Sequence, residues 1–513
     1  MGLLEESELD NVPTIPEYFS GKNIFITGGT GFMGKVLIEK LIYSCTELNQ
    51  IYLLLRCKKG VSPEERIKEI YSSPCFDRLR QEKPGVFESK VFVIPGDVME
   101  IGLGMSEEHR ALLINKVDIV FHAAASVRFD DPLKFAATLN LRGTRELTEL
   151  AKEMKNLSSL VHVSTSYSNT NQNPVEEIMY PPHANWRDIL QICQEVDEHT
   201  IRVLTPKILG ELPNTYTFTK QLAEHVVYEC QGQLPAVIFR PSIVISSVEE
   251  PVKGWVESFN GPVGLLVASG KGIMRSLYTN PDLKADYMPV DVSIKALIAA
   301  AWTRGTKKLK TDDISIYNCC SGNLNTITVG EVVEIGRELN KKYPLDDTLW
   351  HVGGAITTSA TIHYIKVLFL HLLPAILVDT ILRVLGKKPM LVKIQRRIYT
   401  ANLALLYYIT QQWTFDNKNL IALRSSIKEQ DKKHFFYEIE NVDKYEFYIN
   451  AVLGGKKYLL KESVENFPKA RAHAKRMWIL HEVVQFLFYA FLTWWVINMN
   501  WFKNVAYGLV TLL

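Results

Sequence analysis

The sequence lacks the cysteine and histidine patterns that mark disulfide-stapled domains and metal sites. Its seven cysteines are scattered over 513 residues, their number is odd, and no two of them form a Cys-x-x-Cys pair. The twelve histidines are equally dispersed, without the spacing of metal ligands. We therefore expect no disulfide framework, no metal site, and reduced thiols in a cytosol-facing compartment.

The chain also lacks an excess of charge of either sign. Lys and Arg number 58, Asp and Glu number 56, and the formal net charge is +2. This balance predicts no nucleic-acid partner. The composition, 47% hydrophobic and 22% charged, is typical of a folded protein, and the length predicts about two to four structural units.

The two ends of the chain differ in apolar content. The N-terminus, MGLLEESELDNVPTIPEYFSG, is acidic and contains no apolar run, so it is not a secretory signal. Near the C-terminus, VVQFLFYAFLTWWVINMNWF (483–502) carries no charge and follows a basic stretch, 469–476. Twenty helical residues cover roughly the hydrocarbon core of a bilayer, so we predict a membrane anchor over 478–513, with the bulk of the protein on the cytosolic side. A buried or surface-lying helix is the alternative, because polar residues interrupt the run.

Short apolar runs alternate with helix-length segments in the first half of the chain. The runs are continuous instead of alternating with polar residues, as in parallel strands covered by helices on both faces. This pattern predicts an α/β fold with a doubly wound, Rossmann-type parallel sheet. The predicted strands are 23–27, 50–56, 90–98, 117–125, 159–167 and 235–244.

The later segments are less regular. A polar excursion over 168–212 is too long for a connecting loop and is expected to contribute to a substrate site. The apolar segment 361–386 has only twelve uncharged residues between Lys366 and Asp379 and contains Pro374, so we expect an interrupted helix, buried or lying at an interface. The predicted domains are a flexible N-terminus, a Rossmann-type domain with an inserted or C-terminal substrate region, a helical C-terminal domain and the anchor, at 1–15, 16–350, 351–475 and 478–513.

The stretch TGGTGFMG (27–34) joins the first predicted strand to the first long helix. Glycines at 28, 31 and 34 would let the backbone approach a pyrophosphate held at the N-terminus of that helix. The spacing alone is weak, but its place after the first strand strengthens it. The predicted cofactor contacts of this turn are Thr27, Gly28, Thr30, Gly31, Phe32, Met33 and Gly34.

The residue after the second strand favours NADPH over NADH. Arg56 lies where an acidic residue usually binds the ribose hydroxyls of NAD, and a guanidinium suits a 2′-phosphate. An exposed basic loop is the alternative interpretation. Asp97 and Val98 follow the third strand, and Ala123 and Ala124 follow the fourth, where small side chains would allow the cofactor to approach closely.

Tyr216 and Lys220 are four positions apart in NTYTFTK, so a helix puts both on one face. An ammonium beside the phenol is expected to lower the tyrosine pKa from about 10 and to make it a general acid. A hydroxyl cluster, Ser164-Thr165-Ser166, ends the fifth strand and could hold a substrate carbonyl oxygen. The sequence does not say which of the three hydroxyls points inward.

These positions together resemble the extended short-chain dehydrogenase/reductase superfamily. The resemblance rests on the glycine turn and on Asn140, Thr165, Tyr216, Lys220, Arg240, Pro241 and Ser242.

More specific motifs resemble the alcohol-forming fatty acyl-CoA reductases of animals and plants. The motifs occur in order from about residue 15 to 320, and the aromatic helical region after 351 is similar to that family's C-terminal domain. They are IPEYFSGKNIFITGGTGFMGKVLIEKL, VFHAAASVRFD, HVSTSY, PNTYTFTK, RPSIV, FNGPVGLLVASGKG and MPVDV.

The resemblance implies reduction of a long-chain acyl-CoA to a fatty alcohol, a precursor of waxes and ether lipids, with two molecules of NADPH and an aldehyde intermediate. It implies Thr165, Tyr216 and Lys220 as catalytic residues, and cofactor contacts from Tyr216, Lys220, Pro241 and Ser242. The predicted anchor with its basic flank would serve either a peroxisomal or an endoplasmic reticulum membrane. We expect 254–272 and 361–386 to line an acyl tunnel, with plain core packing as the equal alternative.

Other functions stay open on the residues alone. A sterol dehydrogenase or a sugar-nucleotide epimerase would share the glycine turn and the tyrosine–lysine pair but would leave the region after 351 unexplained. A reductase that releases the aldehyde is a further possibility. An inactive, membrane-tethered NADP-binding scaffold is the alternative from a different class. The residues indicate neither an oligomeric state nor a preferred acyl chain length.

Overall fold

The computed structural model describes residues 12–56, 60–259, 262–306, 313–322 and 324–498. The chain divides into two compact units, each built from separated segments. The first unit comprises Met1–Ser258, Asp282–Val329 and Ala404–Leu459, and the second comprises Phe259–Pro281, Gly330–Leu403 and Leu460–Leu513. The domain boundaries expected from the sequence remain a prediction beside this division.

The first unit is organised by a parallel sheet. Its strands, in spatial order, are β11, β6, β5, β4, β1, β2 and β3, and every neighbouring pair is parallel. They span β1 (Asn23–Thr27), β2 (Gln50–Leu55), β3 (Val91–Pro95), β4 (Ile119–His122), β5 (Ser159–Val163), β6 (Ala236–Pro241) and β11 (Ser315–Cys319). Shorter strands of this unit pair outside the sheet, namely β7 (Ile243–Ile245) with β10 (Tyr287–Pro289) and β9 (Lys284–Ala285) with β12 (Ile327–Thr328).

All six predicted strands are confirmed; β1 has the predicted bounds, and the other five are shorter than their apolar runs. β11 was not predicted from the sequence. Its sequence, SIYNC, is buried at every position, yet Ser315 and Asn318 break the apolar run by which the other strands were found. The sheet places β1 between β2 and β4, where the direction of strand succession reverses. In open α/β sheets ligands bind outside the carboxyl ends of the strands at that point.

Helices cover both faces of the sheet and carry most of the other apolar residues of the first unit. They are α1 (Ile15–Phe19), α2 (Phe32–Ser44), α3 (Pro63–Tyr71), α4 (Asp77–Glu82), α5 (Val86–Lys90), α6 (Glu107–Lys116), α7 (Leu133–Ala136), α8 (Gly143–Glu153), α9 (Trp186–Glu195), α10 (Glu198–Leu209), α11 (Thr215–Tyr228), α13 (Val290–Thr306), α18 (Lys418–Ser425), α19 (Glu429–Phe435) and α20 (Lys444–Gly454). A π-helical stretch, Ala137–Arg142, joins α7 to α8. Two of these helices, α9 and α10, occupy the long polar excursion, so it is a structured insertion.

The second unit is largely helical. Its helices are α12 (Pro262–Gly270), α14 (Val329–Lys342), α15 (Ala360–Val367), α16 (Leu373–Val384), most of α17 (Leu391–Ile409) and α21 (Phe467–Asn498). Two short parallel strands, β8 (Ser276–Tyr278) and β13 (Ala355–Thr357), pair within it.

The expectation that Pro374 interrupts the helix is wrong. A π-helical stretch, Leu368–Leu372, links α15 to α16, and Pro374 lies in the first turn of α16, where no intrahelical N–H donor is required. The run Ala360–Val384 is therefore continuous, and only 17% of its apolar window is buried. A buried core helix is excluded, whereas a role in an acyl tunnel remains a prediction.

Within the described residues, two helices are long and apolar enough to cross a membrane, Ala360–Val384 and Val464–Asn498. None of the apolar window of the second is buried, which excludes a core helix there too. Residues 499–513 of the predicted anchor lie outside the described part of the chain. The two helices indicate membrane association.

Candidate active site

The glycine turn brings the chain very close to neighbouring backbone. A Cβ at Gly28, whose φ is +79°, would lie 2.5 Å from the carbonyl carbon of Ala123, and one at Gly34 would lie 2.3 Å from the oxygen of Gly28. Gly31 precedes α2 as its N-cap and supplies no side chain to the first turn. The first amide groups of α2 therefore have room for a diphosphate beside them, so the turn fits a dinucleotide.

Thr27, by contrast, uses its polar groups inside the protein. Its hydroxyl is 2.7 Å from Nδ1 of His122, and its carbonyl accepts a hydrogen bond from the amide of Ala123. His122 Nε2 is 3.0 Å from the hydroxyl of Thr144 on α8. Burial lowers the pKa of His122 to about 3, so the ring is neutral. Thr27 thus holds the turn against β4. Its hydroxyl is already hydrogen bonded to His122, so it is not free for the cofactor contact predicted for this residue.

The other predicted cofactor residues follow the ends of their strands. Arg56 is exposed directly after β2. Asp97 is half-buried after β3, and its carboxylate accepts the amide of Met99 at 3.0 Å. Val98 packs against Gly143 at the start of α8, where an added Cβ would lie 2.3 Å from Val98 Cγ1. Thr30, Phe32 and Met33 lie within the glycine turn and the start of α2, and Ala124 lies just beyond β4.

The structure distinguishes the three hydroxyls that end β5. Thr165 is hydrogen bonded to the hydroxyl of Tyr216. Ser164 donates instead to Glu224, and Ser166 donates to the carbonyl of Arg240 at 2.7 Å. Thr165 is therefore the hydroxyl that shares a site with the predicted general acid.

The expected lowering of the Tyr216 pKa is wrong, because burial outweighs any effect of a nearby ammonium. Burial raises the pKa of Tyr216 to about 12, and the hydrogen bond from Thr165 only partly offsets it. Lys220 lies on the same face of α11, but its Nζ donates to the carbonyl of Val163 at 2.5 Å and lies 3.5 Å from Nε2 of His162. Burial lowers the pKa of Lys220 to about 8. Tyr216 is consequently protonated at neutral pH, the form that can donate a proton.

His162 was not identified from the sequence. It is fully buried on β5, and burial together with the charge of Lys220 lowers its pKa, so the ring is neutral. Its position two residues before Ser164 puts it on the same side of the strand as that serine. The only sign of this role in the sequence is a histidine within an otherwise apolar strand, because its neighbour Lys220 lies on a helix 58 residues later.

Asn140 closes the loop that follows β4. Its side chain accepts the amide of Ser126 at 2.9 Å and donates to the hydroxyl of Thr219 at 3.0 Å. It lies in the π-helical stretch after α7, where the extra residue per turn turns this side chain toward α11. Asn140 thus ties the β4 loop to the helix that carries Tyr216 and Lys220.

A buried ion pair supports α11 about two turns beyond Tyr216. Arg240 is fully buried at the end of β6, and its Nη2 lies 2.7 Å from Oε2 of Glu224. The remaining guanidinium protons bind the carbonyls of Glu176 and Ile178 at 3.2 and 3.1 Å. Every member of the pair has hydrogen-bond partners, as a buried pair requires.

Pro241 and Ser242 follow Arg240 at the carboxyl end of the sheet. Ser242 donates to Asp286 at 2.6 Å, and Asp286 also accepts from the amide and the hydroxyl of Ser321, both at 2.9 Å. Burial raises the pKa of Asp286. The serine hydroxyl is therefore committed to this network, which fixes the loop after β6.

Two aromatic side chains beside Tyr216, Phe129 and Tyr408, were not predicted from the sequence to belong to the site. The ring of Phe129 is 5.7 Å from Tyr216 and 5.0 Å from Tyr408. The ring of Tyr408 also contacts the ring of Tyr167, with 5.4 Å between the ring centroids. The hydroxyl of Tyr408 accepts a hydrogen bond from the side-chain amide of Asn214 at 2.8 Å. Residue 408 is far from the motif in sequence, so only the fold reveals that it belongs here.

Comparison with protein families matches two models, both described as male sterility protein. The first is an NAD-binding model that covers residues 26–297, more than half of the chain, and the second covers residues 370–462. The family model and the geometry of the glycine turn thus both indicate dinucleotide binding.

Curated relatives and solved structures agree with this assignment. The chain is 39% identical over 464 residues to fatty acyl-CoA reductase 1 of Xenopus laevis, and 38% identical over 464 residues to that of Homo sapiens, with 90% of each chain covered in both cases. The reductase domain of a nonribosomal peptide synthetase from Mycobacterium tuberculosis has the same fold, with a TM-score of 0.60, 18% identity, and coverage of 88% of this chain and 96% of that one. With a family model over half of its length and relatives of this identity along nine-tenths of it, the chain belongs to the fatty acyl-CoA reductase family.

Proposed function

We propose that the protein reduces long-chain fatty acyl-CoA to the primary alcohol, with NADPH as reductant and an aldehyde as intermediate. The observation that carries the proposal is the hydroxyl pair formed by Tyr216 and Thr165 at the carboxyl edge of a dinucleotide-binding sheet. Kinship to proteins named fatty acyl-CoA reductase supports the thioester as substrate.

The residues present fit a dinucleotide cofactor. The turn from Gly28 to Gly34 would hold the diphosphate, and Tyr216, Lys220, Pro241 and Ser242 would face the nicotinamide half. Arg56, exposed and cationic after β2, supports a 2′-phosphate and hence NADPH. The bound cofactor supplies the hydride in each of two reductions.

The chain's own part in each reduction is to stabilise charge that develops on the substrate oxygen. Two hydroxyl donors, Tyr216 and Thr165, would bind the carbonyl oxygen as it becomes an oxyanion. The tyrosine is protonated at neutral pH, because burial raises its pKa to about 12, so it can pass its proton to that oxygen. In the first reduction the hydrogen-bonded oxyanion would keep no proton and would collapse to the aldehyde, expelling CoA as the thiolate. In the second reduction Tyr216 would pass its proton to the alkoxide and so complete the alcohol.

The position of Lys220 beneath Tyr216 gives a reason for its burial. Its ammonium, fixed by the carbonyl of Val163, places a positive charge one helical turn from Tyr216. That charge would stabilise the phenolate left after proton transfer. The cost is a lysine whose pKa falls to about 8.

The apolar helices fit a substrate that partitions into bilayers. We infer that α21 anchors the protein in a peroxisomal or endoplasmic reticulum membrane, with the sheet-bearing unit on the cytosolic side. The basic residues that precede the apolar part of α21 support this orientation.

The test counts products with the detergent-solubilised full chain. Release of CoA thiol and oxidation of NADPH are followed with palmitoyl-CoA and stearoyl-CoA, beside Tyr216→Phe and, as a matched control, Tyr317→Phe, another buried tyrosine of the same unit. We expect two NADPH per thiol, and a loss of about 10²- to 10⁴-fold in Tyr216→Phe alone, the usual contribution of a general acid. Binding of NADPH should survive in both variants, and NADH should replace it poorly.

Other outcomes separate the alternatives. One NADPH per thiol would identify an aldehyde-releasing reductase. Turnover of a sterol or another lipid carbonyl, without turnover of any acyl-CoA, would assign a different substrate class. NADPH binding without turnover of any carbonyl substrate would contradict an enzymatic role and leave the scaffold.

A further inference from the structure

The second unit contains a cavity of about 370 Å³ that the proposed reaction does not use. Its walls are α14, the segment 344–353 that follows it, and the first turns of α21. All three belong to the second unit. The cavity therefore lies against the helix that continues into the proposed membrane anchor.

The lining of this cavity is cationic. Arg337 and Lys341 reach it from α14, and Arg471 and Lys475 reach it from α21, against one lining carboxylate, Glu334. Glu334 is paired with Arg337 at 3.0 Å. Among the described residues neither Lys341 nor Lys475 has a hydrogen-bond or ion-pair partner, so two ammonium groups on facing walls lack a counter-charge.

The cavity also has an unused buried donor. Thr348 lines it and is only 3% exposed, yet its hydroxyl has no hydrogen-bond partner in the described part of the chain. A buried polar group without a partner is costly and points to a ligand atom or a water that satisfies it. The backbone around it is fixed, because His473 on α21 binds the carbonyl of Thr348 at 2.8 Å and Arg471 binds that of Lys342 at 3.0 Å.

Along α21 the cavity begins at the outer edge of the expected headgroup layer of a bilayer, within reach of a lysine side chain from that layer. The last lining residue is Trp478 and the uncharged run starts at Val483, five residues later, which is about 7.5 Å of helix. Each headgroup layer of a bilayer is roughly 5–7 Å thick. Trp350 and Trp478, both in the lining and the second 46% exposed, are residues that favour this layer.

We propose that this cavity binds the phosphate of an anionic phospholipid headgroup at the base of the membrane helix. Lys341 and Lys475 would bind the phosphate from opposite walls, and the hydroxyl of Thr348 would donate to it. The acyl chains of that lipid would run along the uncharged part of α21. The inference rests on the proposed insertion of α21, and its outcome is independent of the reaction assigned to the first unit.

The chain offers a matched pair of variants for the test. Lys341→Gln with Lys475→Gln removes two charges from the cavity. Lys469→Gln with Arg476→Gln removes two charges from exposed positions of α21 that do not line it. All four side chains are on the surface, so both double variants should fold, which circular dichroism can verify.

The measurement is native mass spectrometry of the full chain from micelles that contain equal amounts of dioleoyl phosphatidylserine and dioleoyl phosphatidylcholine. The wild-type protein should retain the serine lipid preferentially. The cavity variant should bind it roughly 25-fold more weakly, about fivefold for each basic side chain near an anionic surface, whereas the control variant should match the wild type. Retention of the choline lipid by all three proteins reports on insertion of α21 itself.

Three outcomes would overturn the proposal. Equal loss in both double variants would mean diffuse attraction instead of a site, and no preference for the serine lipid would mean that no anionic headgroup binds. Displacement of the lipid by soluble adenosine 3′,5′-bisphosphate, but not by inorganic phosphate, would assign the cavity to a soluble nucleotide. None of these readings depends on turnover, so a failed reductase assay and a failed lipid site are distinguishable.

Discussion

Replacement of Lys220 by Met should change how the stability of the protein depends on pH. Lys220 is 2% exposed, and burial lowers its pKa from 10.5 to about 8. A shift of about 2.5 pKa units corresponds to about 3 kcal/mol of differential interaction. A charged lysine in this position therefore destabilises the fold at neutral pH, by an amount comparable to a large single-residue effect.

The sign follows from proton binding in the two states. Between about pH 8 and pH 10.5 the unfolded chain keeps the lysine proton while the folded chain has released it, so the free energy of unfolding rises with pH in that window. The Met variant has no such proton. From about pH 7 to about pH 9.5 the wild-type protein should therefore gain about 2 kcal/mol of stability relative to Lys220→Met.

The assay is urea unfolding of the detergent-solubilised full chain, followed by tryptophan fluorescence for both proteins at the two pH values. The quantity compared is the difference in unfolding free energy between the two proteins at each pH value. The titration of the other ionisable groups cancels in this comparison, and so does the constant loss of the hydrogen bond to Val163 in the Met variant. Parallel pH dependences in the two proteins would refute the reasoning, since Lys220 would then titrate like an exposed lysine.

Three further substitutions test the support of the site. Gly34→Ala should destabilise the protein strongly, because the added Cβ would lie 2.3 Å from a backbone oxygen. In Gly31→Ala the nearest atom is 3.2 Å from the added Cβ, so this variant should fold but bind NADPH more weakly. Thermal unfolding measures the first effect, and fluorescence titration with NADPH measures the second. Glu224→Gln should cost about 3–5 kcal/mol, because it leaves Arg240 charged and buried without its counter-ion. An unfolding midpoint equal to that of the wild type would contradict this account of the pair.

The sheet could be predicted because six of its strands lie in continuous apolar runs. Arg56, Asp97 and Thr165 followed because each lies just after a strand, whereas Tyr216 and Lys220 followed from their spacing on one helix. β11 escaped for the opposite reason, since Ser315 and Asn318 are buried by tertiary packing that no local pattern records. The direction of the Tyr216 pKa also could not be predicted. Sequence spacing places an ammonium near the phenol, but it carries no information about burial, which is the larger effect here.

The surroundings of the site were beyond local reasoning as well. Tyr408 lies 192 positions after Tyr216, and it joins the site through the ring of Phe129 and a hydrogen bond from Asn214. The hydroxyl cluster 164–166 shows the same limit at short range. Three adjacent hydroxyl residues are equivalent in the sequence, and only the positions of Glu224 and the Arg240 carbonyl show that two of them are already engaged.

The first unit is closed by residues that the ribosome adds late. The backbone amide of Ile15, in α1, donates to the carboxylate of Asp431, and 416 positions separate the two residues. At about 5–20 residues per second this interval takes roughly 20–80 s of synthesis. The sheet with its cofactor turn must wait that long for its last covering helices, and the apolar part of α21 is made only after them. The nascent protein should thus hold an exposed α/β core for most of its translation and need chaperone protection before its membrane helix exists.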